Sequence, residues 1–478
     1  MKNKKETSTK EVKVPSQPKV WQALIPILVL IVALSVGIIF FEASPHIPLI
    51  IAASVAAIMS LLIGYKWSDI EKGFIDTIQM SMQAILILMI IGILIGAWIL
   101  SGTVPTMIYY GLKILSPGIF LVATCIICSI VSLATGSSWT TAGTVGIALM
   151  GVGIGLGISK PMIAGAIICG AYFGDKMSPL SDTTNLAPAM AGSTLFDHIK
   201  HMLYTTTPSM IISLILFGIL GIKYAGQELD VSQLNIIFEG LKASCTINPL
   251  LLLPPVIVII LVVKKMPAIP GLIIGVVAGV ILAVLVQGSN FGDIVNVLNS
   301  GYVSETGVEM VDNLLSRGGL QSMMGTVSLI ICAMTFGGIM EKAGFLNVLA
   351  EKLLKFAVST GSLVLVTIIS CIVVNILAGD QYLSIVIPGR MYKDEYAKRG
   401  LAPKNLSRCL EDAGTLTSCF IPWNTCGAFM STTLGVSPFL YIPFCFLNYI
   451  NPVVSIIYGY TGFSMEKIEK SEEISPQA

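Results

Sequence analysis

The chain has 478 residues, of which 54% are hydrophobic and only 12% are charged. A soluble globular domain carries about 25% charged residues, so the composition excludes an ordinary soluble domain and indicates a protein surrounded by lipid. The net charge of +1 gives no reason to expect a nucleic-acid partner. The sequence has neither a Walker-type glycine loop nor a soluble segment large enough for an ATPase domain, so ion gradients should supply the energy.

Long blocks without Asp, Glu, Lys, Arg or His divide the chain. They cover residues 22–41, 47–64, 77–112, 202–222, 243–263, 266–292, 318–340, 356–379 and 413–465. A helix needs roughly 20 residues to cross the hydrocarbon core, so the blocks predict many membrane spans. The first block follows a Lys-rich tail, residues 1–20, and is too long for the core of a signal peptide. We therefore expect it to remain as the first span.

A stretch of the first half is repeated in the second half. Residues 118–183 align without a gap with residues 361–426, and the alignment matches Gly136 with Gly379 and Pro179 with Pro422. Self-similarity of this kind indicates a duplicated unit. We predict a first transmembrane repeat at 21–223, an extracellular linker at 224–248 and a second repeat at 249–460, with tails at 1–20 and 461–478.

Each repeat is predicted to contain five spans. Three come first, at 22–41, 47–64 and 78–100 or at 249–263, 268–287 and 321–340. A short polar segment follows, at 103–115 or 344–357, and we expect it to lie in the membrane interface. Two short apolar arms joined at 134–143 or 377–382 then predict a re-entrant hairpin, because glycine and hydroxyl residues at mid-depth need cover from protein or water. A broken span and a plain span complete each repeat.

Five spans are an odd number, so the second repeat should be inverted relative to the first. The distribution of Lys and Arg tests this orientation, since cytoplasmic loops carry the excess of both. With both tails in the cytoplasm, cytoplasmic segments hold nearly all of them; the exceptions are Lys113, Lys160, Lys176, Lys223, Lys242 and Arg317. The predicted fold is thus an all-α integral membrane protein with two inverted repeats, an architecture typical of alternating-access carriers.

The densest polar cluster in apolar surroundings is the segment 174–185, which interrupts the fourth span. Pro179 removes a backbone donor and Gly174 loosens the chain, so the helix should unwind here and free backbone carbonyls for a hard cation such as sodium. A proton and a sodium ion can compete for one buried carboxylate, and we take Asp175 and Asp182 as the first candidates for that role. Lys176 could hold one of them ionised or carry the proton itself. The predicted cation-binding residues are Asp175, Ser178, Asp182, Thr183, Asn185 and, at the second hairpin tip, Asp380.

The matching break at 415–425 keeps the proline and the hydroxyls but lacks both aspartates. We expect the hairpin tips and this break to face the substrate through Ser137, Ser138, Thr140, Ser418, Asn424 and Thr425. Glu411 and Asp412 are also intramembrane acids and therefore functional candidates, or they pair with Arg408 on one helix face. His198 and His201 are predicted to be solvated in a cytoplasmic loop.

The sequence also bears on two alternative functional classes, an enzyme and a channel. An enzyme would need a nucleophile with a base or a metal cluster, and the spans carry neither, so we expect no catalytic residues and no cofactor. Cys125 and Cys128 have CxxC spacing in an apolar helix without a second pair, which favours packing over metal binding. A channel could use the same oxygen ligands, and counterflow and saturation would separate it from a carrier.

The segments 170–192 and 134–143 resemble the NhaC family of bacterial sodium/proton antiporters, and the likeness extends over about residues 20–460. The resemblance implies the ion-transporter superfamily, with hairpins and broken helices that move like an elevator against a scaffold that usually dimerises. It implies a multi-pass protein of the bacterial plasma membrane, with Na⁺ and H⁺ as transported ions. Similar carriers instead exchange small organic anions, such as malate against lactate, or amino acids, which leaves sodium-coupled solute exchange as the alternative.

Overall fold

The computed structural model describes residues 16–41, 44–225, 231–264 and 266–468. Within these ranges the regular elements are helices, numbered here in chain order. The first twelve are α1 (Val20–Phe41), α2 (His46–Leu62), α3 (Trp67–Met80), α4 (Met82–Leu100), α5 (Thr103–Ile114), α6 (Pro117–Thr135), α7 (Ser138–Thr141), α8 (Ile147–Gly155), α9 (Lys160–Met177), α10 (Asp182–Ala191), α11 (Leu195–Ala225) and α12 (Val231–Ser244). The predicted tails and linker lie partly outside the described residues.

The remaining helices are α13 (Leu253–Val263), α14 (Ala268–Leu285), α15 (Phe291–Ser300), α16 (Glu309–Leu315), α17 (Leu320–Lys342), α18 (Phe345–Leu354), α19 (Thr360–Ala378), α20 (Gln381–Lys398), α21 (Pro403–Leu410), α22 (Thr425–Leu434), α23 (Pro438–Tyr441) and α24 (Phe446–Thr461). Two segments wind as π-helix, Ala142–Gly146 between α7 and α8 and Glu411–Thr415 after α21. A π-helical turn often marks a functional site.

In the described part of the chain, seven helices are long and apolar enough to cross a membrane: α1, α4, α6, α11, α14, α17 and α19. Two sharply bent helix pairs raise this number to nine if each pair is one span. The protein is therefore an all-helical, multi-pass membrane protein. The sequence predicts ten spans, but some of the corresponding helices are too short to count as spans by length and composition. Helix α2, for example, has 17 residues.

Helix boundaries recur at the spacing of the sequence repeat. Helix α6 begins at 117 and ends at 135, and α19 begins at 360 and ends at 378, so both bounds are 243 residues apart. The same spacing separates the bounds of α10 from those of α22. Both α6 and α19 end at a glycine in the left-handed conformation, Gly136 (φ 67°) and Gly379 (φ 65°). These 19-residue helices are longer than the short hairpin arms predicted from sequence.

The helices pack as two bundles. The outer bundle consists of α1–α4 and α13–α17, and the broken-helix bundle consists of α6–α11 and α19–α24. The polar segments predicted at 103–115 and 344–357 form the short helices α5 and α18, and each of these two helices contacts both bundles. The candidate site lies inside the broken-helix bundle.

Candidate functional site

The break between α9 and α10 leaves backbone carbonyl groups without helical hydrogen bonds, and nearby side chains donate to them. Helix α9 ends at Met177, and Pro179 prevents the helix from continuing. The Thr184 hydroxyl lies 3.0 Å from the carbonyl of Lys176, and the Asn185 amide donates to the carbonyl of Pro179 at 2.9 Å. Thr184 and Asn185 thereby fix the unwound segment in one conformation.

A charge cluster centred on Asp412 lies beside this break. Lys176, at the end of α9, forms an ion pair with Asp412 in the π-helical segment, and both side chains are fully buried. The same carboxylate oxygen accepts hydrogen bonds from Thr205 (3.2 Å) and Asn451 (2.7 Å). The Arg408 guanidinium nitrogen Nε lies 4.0 Å from the other oxygen. Burying charges is costly unless they are paired and hydrogen-bonded. Lys176 and one oxygen of Asp412 meet this condition, whereas Asp412 Oδ2 and Arg408 Nε have no hydrogen-bond partner among the described residues.

Two further buried acids border the cluster. One Glu411 oxygen accepts a hydrogen bond from the Thr183 hydroxyl at 3.0 Å, while the other, Oε2, has no partner among the described residues. Asp175, next to Lys176, accepts a hydrogen bond from the backbone N–H of Ser138 at 3.1 Å. A bound cation or a proton would satisfy the open oxygen of Glu411.

The predicted cation ligands fall into separate places. Asp175 and Thr183 border the charge cluster, and Ser178 is buried within the break, where its hydroxyl accepts from the Leu180 N–H at 3.2 Å. Asp182 and Asn185 are exposed, and the Tyr382 hydroxyl lies 3.4 Å from a carboxylate oxygen of Asp182. Asp380 is buried at the start of α20, where it caps the helix by accepting from the Leu383 N–H at 3.0 Å. The structure therefore does not gather all six residues in one shell.

The hairpin-tip residues of the first repeat adjoin Asp175. Ser137 caps α7 by accepting from the Thr140 N–H at 3.1 Å, and Ser138 donates its backbone N–H to Asp175. The buried Thr140 hydroxyl has no partner within the described ranges. Ser418 approaches from the second repeat, with its hydroxyl 3.3 Å from that of Tyr172.

Two of the predicted substrate-facing residues, Asn424 and Thr425, lie at the second break, near Asp380. Asn424 caps α22 by accepting from the Cys426 N–H at 3.0 Å, and the backbone N–H of Thr425 donates to the carbonyl of Gly379 at 2.9 Å. Trp139 and Phe429 stack face to face across the two repeats, with ring centroids 4.2 Å apart. An aromatic contact thus joins the predicted hairpin tip at 134–143 to α22.

The histidine prediction is wrong. His198 and His201 are buried, because α11 already begins at Leu195 and turns both imidazoles inward. His198 lies 2.8 Å from the Ser407 hydroxyl, and His201 lies 3.5 Å from Glu466. The sequence left two interpretations of Glu411 and Asp412, a functional role or pairing with Arg408. Asp412 contacts Lys176 and lies near Arg408, whereas Glu411 accepts a hydrogen bond from Thr183.

Two residues of the site escaped the sequence analysis, Thr205 and Asn451. Each is a polar side chain inside a charge-free block, which was the available signal. Among the described residues, no group of three or more His, Cys, Asp or Glu side chains is arranged to hold a metal ion. A cation here would need hydroxyl and backbone carbonyl oxygens beside one or two carboxylates, a ligand set suited to a hard ion.

The chain is similar to known transporters over almost its whole length. The sequence profile of the Na⁺/H⁺ antiporter family matches residues 170–463. The Na⁺/H⁺ antiporter NhaC of Alkalihalophilus pseudofirmus is 43% identical over 447 residues, covering 93% of this chain and 96% of the relative. NhaC of Bacillus subtilis is 42% identical, covering 87% and 92%. The malate-2H⁺/Na⁺-lactate antiporter of Bacillus subtilis is 39% identical, covering 95% and 96%.

Proposed function

Because this chain belongs to the Na⁺/H⁺ antiporter family, we propose that it is a secondary active transporter that exchanges sodium for protons across the bacterial plasma membrane. One observation carries the proposal: Asp175 and Glu411 lie beside the fully buried Lys176–Asp412 pair, where an unwound helix of one repeat meets the other repeat. Ionisable residues inside a membrane protein are costly and are expected to serve transport.

In this proposal, sodium and protons compete for the same carboxylates. Sodium binds between Asp175 and Glu411, with the Thr183 hydroxyl and the free carbonyls of the break as further ligands. When sodium leaves, a proton neutralises one of the two carboxylates, since two adjacent buried charges of one sign are unfavourable. Asp412 is paired with Lys176 and lies near Arg408, and we place it outside this exchange. Asp182 lies on the exposed side of the break, beside Tyr382.

We propose further that the two repeats are inverted. The cross-repeat contacts support this, because residue numbers rise on one side as they fall on the other: Tyr172 with Ser418, Lys176 with Asp412, and Thr183 with Glu411. The two broken helices therefore run antiparallel beside each other, as repeats of opposite orientation require. A site between inverted repeats can open to either side of the membrane in turn.

The division into two bundles suggests which parts move. We propose that the broken-helix bundle moves like an elevator against the outer bundle, and that the short helices α5 and α18, which contact both, act as connecting arms. Dimerisation through the outer bundle and cytoplasmic termini remain predictions of the same scheme. During this movement the unwound backbone at the helix breaks stays covered by protein, so it is not exposed to lipid.

The proposal is tested by transport in proteoliposomes that contain the purified full-length protein and an internal pH dye. We expect external sodium alone to drive proton movement, with lithium and potassium as comparison ions. The alternative, sodium-coupled exchange of an organic anion or amino acid, predicts a silent dye until malate, lactate or an amino acid is added. That result would replace the proposed function while leaving the fold unchanged.

A further inference from the structure

A second polar region lies apart from the charge cluster, in a cavity of about 550 Å³ between the two bundles. Helices α3, α17 and α18 form one side of this cavity and α20 forms the other. Its charged and polar lining includes Asp76, Thr77, Glu341, Lys342, Glu351 and Arg390. These residues are not among the ion ligands predicted from the sequence, and they are not part of the proposed ion site.

The position of the cavity along the chain indicates the side on which it opens. Asp76 belongs to the segment 65–76, Glu351 to the segment 341–355 and Arg390 to the segment 390–408. All three segments are rich in Lys or Arg and are assigned to the cytoplasm by the positive-inside rule. Asp76, Glu351 and Arg390 are exposed, so the cavity communicates with the solution on that side.

The charge of the lining favours a cation. Three carboxylates face two cationic groups in the lining. Arg390 and Glu341 both line the cavity, and the stem of Lys342 lies along α3 against Gly73. A cleft with excess negative charge and low-dielectric walls concentrates cations from solution.

The inner end of the cavity leads toward Asp380. Met80 lines the cavity, and the next residue, Ser81, donates a hydrogen bond to the sulfur of Met334 at 3.0 Å. Met334 in turn lies beside Gly379, the residue before Asp380. Asp380 is buried, so a buried acid lies at the end of this series of contacts.

From Asp380 the contacts continue to the charge cluster. Tyr382, two residues into α20, contacts Asp182, and the following residue, Thr183, contacts Glu411. Carboxylate and hydroxyl oxygens therefore succeed one another from Asp380 to the break in α9–α10. Such a series of oxygen ligands suits the stepwise passage of a monovalent cation.

We propose that this cavity is the cytoplasmic entrance for the transported cation, and that Glu341 is the residue that receives the ion and passes it toward Asp380. The inference rests on the proposed function, since it names the route by which the same ion reaches the site. In this proposal, helices α3, α17 and α18 line the route of ion entry in addition to packing against the other helices.

The first test is transport by Glu341→Gln with sodium presented on the cytoplasmic side. We expect the apparent KM for sodium to rise at least about tenfold while kcat is preserved, because a charge in a cleft acts on local ion concentration. Glu71→Gln is the matched control, since Glu71 is exposed on α3 and does not line the cavity. An unchanged KM in Glu341→Gln would overturn the proposal.

The second test needs no transport and therefore separates this inference from the proposed function. Asn347, an exposed residue of the cavity lining, is replaced by cysteine and labelled with a membrane-impermeant thiol reagent. We expect labelling from the cytoplasmic side alone, slowed by sodium but not by choline, against the background of the unsubstituted protein. Labelling from the opposite side, or a rate independent of sodium, would contradict the entrance even if sodium/proton exchange is observed. Sodium-protected labelling without exchange would instead contradict the proposed function alone.

Discussion

At Asp412, one carboxylate is held by Lys176, Thr205 and Asn451, with Arg408 at 4.0 Å from its second oxygen. These groups come from α9, α11, α21 and α24, so a single acid connects four helices of the broken-helix bundle. The arrangement makes Asp412 the electrostatic centre of the bundle. Within the described part of the chain, Asp175 and Glu411 form no salt bridge, which is why we propose these two acids for the exchange.

Replacing Asp412 by asparagine should be strongly destabilising. The substitution leaves Lys176 and Arg408 buried without a counter-charge, and breaking a buried pair in this way costs about 3–5 kcal/mol. Thermal unfolding of the detergent-purified protein measures the effect. Asp394→Asn is the control, because Asp394 is exposed on α20 and surface substitutions usually change stability by less than about 0.5 kcal/mol. Equal unfolding temperatures for the two variants would contradict a structural role for the pair.

Outside the spans, Asp312 predicts a pH dependence. The backbone N–H of Thr306 donates to this carboxylate at 2.7 Å, assisted by the Ser304 hydroxyl, and together they hold the pKa of Asp312 below its ordinary value. A lowered pKa in the folded state means that the stabilisation is present above the unfolded pKa of about 3.9 and is lost as pH falls through the folded value.

Hydrogen exchange of the loop 302–312 measures this effect after correction for intrinsic rates. We expect protection at neutral pH that declines below about pH 4, and lower protection at neutral pH in Asp312→Asn with little further change on acidification. Glu305→Gln is the control, because Glu305 is an exposed acid of the same loop. A protein whose loop protection is independent of Asp312 would exclude the carboxylate as the anchor of this loop.

Among the elements, the helix breaks leave the least space for an added side chain. Gly136 ends α6 with φ 67°, and a Cβ added there would lie 2.7 Å from the backbone carbonyl carbon of Leu180 and 2.9 Å from the Ser181 nitrogen. The end of α6 therefore packs directly on the break between α9 and α10. A side chain at this position would separate the two unwound segments.

Gly136→Ala should consequently destabilise the protein more than Gly157→Ala. Gly157 also has a positive φ, of 75°, but a Cβ there would meet nothing within 4 Å. Both substitutions incur the conformational cost of roughly 1–2 kcal/mol for a residue with a Cβ in the left-handed region, and only the first adds a clash with backbone. Thermal unfolding of both variants checks the difference; identical values would show that the close approach at Gly136 relaxes without cost.

Sequence patterns predicted the elements well where glycine, proline or a short polar segment interrupted a run of apolar residues. Glycine and proline positions located the breaks at Gly136, Pro179 and Gly379, and the polar segments located the short helices α5 and α18. Pairing between distant segments was beyond the pattern. The Lys176–Asp412 ion pair joins residues 236 positions apart in the chain, and the burial of His198 depends on contact with Ser407 in α21. Such contacts follow from tertiary packing, which one sequence does not specify.

For the whole molecule, movement between the two bundles makes a prediction about cross-linking. The hydroxyl oxygens of Thr326 on α17 and Thr432 on α22 lie 2.5 Å apart, and this pair spans the outer and broken-helix bundles. Oxidation of the double variant Thr326→Cys, Thr432→Cys should abolish transport, and reduction should restore it. Each single cysteine variant, treated identically, controls for native cysteines. Full transport by the cross-linked protein would contradict movement of one bundle against the other.

The central claim, that sodium and protons compete for the carboxylates at the break, is tested most directly by proton release. Sodium is added to the purified full-length protein in weakly buffered detergent solution, and the pH of the solution is recorded. The account predicts acidification on sodium addition but not on choline addition, and its loss in Asp175→Asn and in Glu411→Gln, while the exposed control Asp394→Asn behaves as the unsubstituted protein. Sodium binding without proton release, or release that survives both substitutions, would contradict it.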